Sequence, residues 1–221
     1  MPLPPARMCY NMLMSHIINR HTLATLPVLL TALTATAASS EAELAKEAQS
    51  SGTFESVVST ENDPVGEAGL WGFRARVVVP HTCQESFDAL KDVEQYPKHM
   101  DKVKRVVVLK RTADTLLTDY TEGAMGIESR TTMQWTFQST PPMRITSENV
   151  GKGDAKTWMQ TDFVDVGHPT YCALKIRLFA DTSFIPTIMM TWLTKTVVNE
   201  TATEYRRLIA QSVAERKAAT P

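Results

Sequence analysis

Between Lys102 and Ala180 the chain repeats one pattern six times: a run rich in β-branched and aromatic residues, then a short cluster of turn formers. The runs are KVKRVVVLK, TLLTDYTEG, SRTTMQWTFQ, MRITSENV, KTWMQTDFVDV and TYCALKIRLFA. The breaks fall at Thr112 to Asp114, Gly123 to Gly126, Pro141-Pro142, Gly151 to Asp154 and Gly167 to Pro169. Glycine and proline supply turn dihedrals that other residues resist, so the breaks read as strand ends. Parallel pairing needs a crossover of roughly a dozen residues or more, and no break is that long. The six runs therefore predict an antiparallel meander.

Alternation along the runs assigns the faces. Met133, Trp135 and Phe137 share one side of their strand; Cys172, Leu174, Ile176 and Leu178 share one side of another, with Lys175 and Arg177 opposite. One face is wet and the other must be covered. The cover is a helix predicted from FIPTIMMTWLTKTVV, residues 184 to 198, where Ile185, Ile188, Met189, Trp192, Leu193 and Val197 recur at helical steps. Asp181 to Ser183 offer capping oxygens, and Pro186 falls in the first turn, where a missing N–H is harmless. The pattern runs to about Lys217, a helix of ~50 Å. Its apolar stripe rotates at Asn199 to Thr203, which predicts a bend or a change of packing partner there. Thr191, Thr194 and Lys195 make the apolar run too short and too polar to span a bilayer.

Upstream, LWGFRARVVVP reads as a first strand with Phe73, Ala75, Val77 and Val79 on one side. Thr82 and Glu85 have the spacing of a capping box, followed at helical steps by Phe87, Leu90 and Val93. Tyr96-Pro97 interrupts that helix. These elements place an α+β domain over residues 68–217.

The first acidic residue is Glu41, and Arg7 and Arg20 precede the apolar run LATLPVLLTALTATAA. That order, with Ala35-Thr36-Ala37 as a cleavage site, predicts a signal peptide over residues 1–38, with Met14 as an alternative start. The expected location is periplasmic or secreted. An acid-free leader also fits a mitochondrial transit peptide and, uncleaved, a membrane anchor. Residues 39–67, rich in Ser, Glu and Thr, read as a flexible linker.

Several functions are disfavoured. The net charge is −1 and no long basic block occurs, so nucleic acid is not an expected partner. His81, His99 and His168 are scattered without paired-ligand spacing, so no metal or other cofactor is expected. Gly151-Lys152-Gly153 joins two strands and reads as a hairpin turn, not a phosphate loop. The sequon at Asn199 lies inside the predicted helix and reads as chance.

The segment VVVPHTCQESFDALKDVEQYPKHMDKVKRVVVL, with Asp92, Tyr96 and Pro97 in a D-x-x-x-Y-P turn, resembles the opening of the START / polyketide-cyclase / ubiquinone-binding superfamily. DTSFIPTIMMTWLTK resembles the START approach to the last helix, except that Thr-Ser replaces a frequent Gly. The resemblance, over about residues 70 to 216, implies a helix-grip fold. In that fold a curved seven-stranded antiparallel sheet wraps a long C-terminal helix, and two short helices join its first two strands. It also implies a cavity for a hydrophobic small molecule, with Met133, Trp135, Phe137, Trp158, Leu174, Ile176, Ile185, Met189, Trp192 and Leu193 as the expected wall. Methionine suits such a wall because it is unbranched and polarizable, and Met125, Met159 and Met190 are further candidates. The alternative is that these residues fill a packed core.

In a helix-grip sheet the first strand ends beside the start of the last, so the resemblance predicts a Cys83–Cys172 disulfide. Two free thiols are the alternative. Tyr120, Arg130 and Asp162 are the polar cavity candidates, with Arg130 expected to pair Asp162 should that carboxylate point inward. With Glu122 and His168 they are also the groups an aromatase/cyclase would use. The expected function is binding, and by extension transport, of a lipid, quinone or sterol-like molecule, with room for transient membrane contact. The rivals are a cyclase on the same scaffold and a noncatalytic module with a filled interior.

Overall fold

The computed structural model describes residues 39–50, 52–63, 65, 68–124, 127–151, 156–181 and 187–219; of residues 124, 127 and 187–194 the backbone alone is described. All of these lie in one unit, Ala37–Pro221. The expected signal peptide lies outside them.

The elements in chain order are α1 Glu41–Gln49, β1 Thr53–Val58, β2 Trp71–Val79, α2 Cys83–Lys91, α3 Tyr96–His99, β3 Val103–Arg111, β4 Thr115–Ala124, β5 Ile127–Gln138, β6 Arg144–Asn149, β7 Thr157–Asp165, β8 Cys172–Ala180 and α4 Thr187–Ala219. A 3₁₀ turn, Val93–Gln95, links α2 to α3. The eight strands form one antiparallel sheet in the order β1-β2-β8-β7-β6-β5-β4-β3. The meander from β3 to β8 stands where the turn residues put it.

The sheet has eight strands where seven were expected. The additional strand, β1, comes from the stretch read as a linker, as does α1. Neither carries a periodic apolar face. β1 is almost wholly exposed and is held by its backbone ladder to β2. α1 buries only Leu44, against Val78 and Ala173 on the outer face of the sheet. A Ser40–Glu43 capping box closes its N-terminus, and Glu47 accepts from Arg76 Nε at 2.7 Å. Gly52, at φ 82°, lets the connection pass close to β2: a Cβ there would stand 2.6 Å from the Arg76 carbonyl oxygen.

α2 begins with the Thr82–Glu85 capping box and buries Phe87 and Leu90. Burial of one face of α4 follows Val198, Ala202, Tyr205, Leu208, Ile209 and Val213. The helix is continuous through residues 199 to 203. α4 is tied to the α3–β3 connection by Arg207, whose Nε donates to the His99 carbonyl at 2.9 Å and whose Nη1 meets Asp101 at 2.9 Å. Among the described residues the edge of β2 beyond Arg76 has no strand partner, and Arg206 Nε donates to the Val78 carbonyl at 3.2 Å. Cys83 Sγ and Cys172 Sγ form a disulfide, beside the Val79–Cys172 pair that ends the β2–β8 ladder.

Candidate functional site

One end of the space between sheet and α4 is filled; at the other lies a partly open cavity of about 570 Å³. Strand parity builds its floor from Trp135, Ser147, Met159 and Leu178, successive register partners across β5, β6, β7 and β8. Leu116 on β4 and Phe73 on β2 continue the same row outside the lining. The next row toward the cavity mouth is Thr118, Met133 and Asn149, then Tyr120 and Thr131, then Glu122 and Ser129. The roof comes from α4 through Val197, Thr201, Glu204 and Tyr205, and one side from Tyr96, Met100, Lys102 and Val103. The wall thus grades from apolar at depth to charged at the mouth.

Burial and hydrogen bonding fix the state of the wall groups. Trp135 Nε1 donates to Thr118 Oγ1 at 3.0 Å, and Tyr96 stands edge-on to the Trp135 ring. The Tyr96 hydroxyl donates to the Leu90 carbonyl at 2.6 Å, and the Tyr205 hydroxyl to Met159 Sδ at 3.4 Å. Burial pushes the phenol of Tyr205 up to about 12 and those of Tyr96 and Tyr120 well above their ordinary value, so all three are neutral donors at physiological pH. Glu122 is accessible from the cavity but hemmed in by protein, and desolvation raises its carboxyl, with Lys102 opposing. Glu204 is raised for the same first reason, again opposed by Lys102. Lys102 itself pairs with Glu200.

Of the expected wall, Met133 and Trp135 line this cavity, and so does Tyr120. Phe137, Leu174 and Ile176 point to the same side of the sheet but belong to the packed core beyond it. Ile185 lies outside the described residues, as does Met125, and the side chains of Met189, Met190, Trp192 and Leu193 are likewise not described.

Four of the expected residues lie elsewhere: Trp158, Asp162, Arg130 and His168. Trp158 and Asp162 alternate with Met159 and so lie on the outer face of β7. Trp158 stacks on Phe179 at 6.0 Å, and Phe179 in turn packs over Gly72, where a Cβ would come within 2.8 Å of its ring. Arg130 does not reach Asp162: it pairs across the ladder with Asp119 at 2.6 Å on the outer side, and Asp162 accepts from Arg144 Nε at 2.6 Å. His168 lies away from the cavity, edge-on to Tyr171. The residues not anticipated include the small polar ones, Ser129, Thr131, Ser147, Asn149, Thr157 and Thr201, together with Lys102 and Glu204. Parity with Ile145 would have placed Ser147 and Asn149 inside.

Among the described residues no group of three or more His, Cys, Asp or Glu side chains is placed to hold a metal ion, and no helix is long and apolar enough to cross a membrane.

No protein-family model matches the chain, and no curated protein sequence is significantly similar to it. Solved structures do match. Human STARD10 aligns with a TM-score of 0.59 at 10% identity, covering 80% of this chain and 81% of that one. The ZhuI aromatase/cyclase from Streptomyces sp. R1128 aligns at 0.53 and 10%, covering 76% and 99%. A START superfamily protein from Mycobacterium smegmatis aligns at 0.51 and 16%, covering 62% and 96%. The chain has the START-like fold.

Proposed function

We propose that this protein binds a hydrophobic small molecule, of lipid, quinone or sterol-like type, in the cavity between the sheet and α4, and carries it. The observation behind this is the unfilled space above Trp135, Ser147 and Met159, in a sheet whose other end is packed with large side chains. Apolar burial at ~25 cal/mol per Å² supplies affinity without many polar contacts. The Cys83–Cys172 bridge supports an oxidising location, secreted or periplasmic. A cyclase reading draws on Glu122 and Glu204, whose raised carboxyls stand at the mouth near Tyr120.

The test is native mass spectrometry of gently purified protein, followed by solvent extraction. An apolar molecule released unchanged at one per chain is the expected result. A chemically altered molecule on re-addition would favour the cyclase, and a protein that neither carries nor takes up an apolar molecule would refute binding.

A further inference from the structure

A hydroxyl in a cavity wall must find a partner or cost free energy. The large polar groups at depth have one: Trp135 donates to Thr118, Tyr96 to Leu90 and Tyr205 to Met159. Ser147 differs. It is 1% exposed, and its Oγ has no hydrogen-bond partner. Among the described residues, the other buried side-chain atoms in that condition belong to His99, Arg207 and Ser212, none of which lines the cavity. Its register neighbours, Trp135 and Met159, are already engaged elsewhere.

We infer that Ser147 is the polar anchor of the cavity, and that the guest is a neutral molecule carrying one hydroxyl or carbonyl on an otherwise apolar body. This rests on the binding reading above. A purely apolar guest leaves the Ser147 oxygen without a partner at depth, whereas a guest hydroxyl or carbonyl supplies one. A charged group at that depth would need a counter-charge. The charged wall residues are Lys102, Glu122 and Glu204, and none is a register partner of Ser147; Glu122 stands six residues along β4 from the Ser147 row, roughly 20 Å if the strand were straight.

The test uses two fluorescent probes that differ in one group, pyrene and 1-pyrenemethanol, titrated into the wild type, Ser147→Ala and Ser147→Thr. The wild type and Ser147→Thr are expected to prefer the alcohol by roughly tenfold. In Ser147→Ala the preference collapses through weaker alcohol binding, while pyrene binds as well or better. A melting temperature no lower than wild type shows that Ser147→Ala is folded, since no protein hydrogen bond is lost. Binding of both probes without preference, or an unchanged preference in Ser147→Ala, overturns the anchor and leaves the binding reading standing. Failure of the wild type to bind either probe overturns both.

Discussion

The two ends of the space under α4 share the same strands and the same helix but solve opposite problems. At the end nearest the disulfide, Val79, Phe87, Leu90, Leu174, Leu208 and Ile209 are fully buried, and Phe87 meets Phe163 edge-on at 5.3 Å. At the other end Met133, Met159, Tyr120 and Leu178 are only half-buried, and Ser129, Thr131 and Thr157 occupy inward positions. The backbone architecture does not change between them. What changes is side-chain volume, so the hollow is made by withholding bulk from the far ends of β5, β6 and β7. Stability and binding are thereby assigned to different ends of one sheet.

That division can be broken by substitution. Phe87→Ala at the packed end should cost about 3–5 kcal/mol in chemical denaturation, because the surrounding side chains cannot close the void. Met133→Ala should cost under about 2 kcal/mol, since it borders space that is already empty. Equal losses at the two positions would mean that the ends are not distinct.

The disulfide sharpens the contrast. It joins residues 89 apart in sequence and lies at the packed end. Replacing Cys83 and Cys172 by Ala should lower stability by about 2–5 kcal/mol and leave probe affinity at the cavity unchanged. A parallel loss of affinity would show the two ends to be coupled.

The smallest effect concerns pH. A carboxyl whose folded pKa stands above its unfolded value holds its proton more tightly in the native state. Its contribution is therefore present below the ordinary value of 4.5 and lost as pH rises through the raised one. Replacing Glu122 and Glu204 by Gln should make the protein more stable than wild type at neutral pH. The difference should vanish below pH 4.5, as followed by thermal melts across pH. A variant less stable than wild type at neutral pH would mean that pairing with Lys102 outweighs desolvation.

The same contrast explains what could be read in the sequence. The strands from β2 to β8 were legible because Gly and Pro clusters bound them and because core strands must alternate. β1 was not, because an edge strand held by backbone pairing with exposed Phe54 and Val58 leaves no alternation to detect. At the site, Met133 and Trp135 were legible from the alternation of β5. Trp158 misleads because a large aromatic suggests an interior position, whereas the outer face has its own stack of Trp158 on Phe179 over Gly72. Ser147 and Thr131 were overlooked because a small hydroxyl residue on a strand has the look of a solvent face. Cavities are lined by such residues where bulk is withheld.

The most direct test of the cavity is NMR of protein labelled with ¹³C at the methionine methyls, titrated with 1-pyrenemethanol, whose ring current reports proximity. Met100, Met133 and Met159 line the cavity, whereas Met143 packs against the core at the disulfide end and borders a separate pocket there. The account predicts saturable shifts at those three methyls with Met143 unmoved. Shifts confined to Met143, or none at Met133 and Met159, would contradict it.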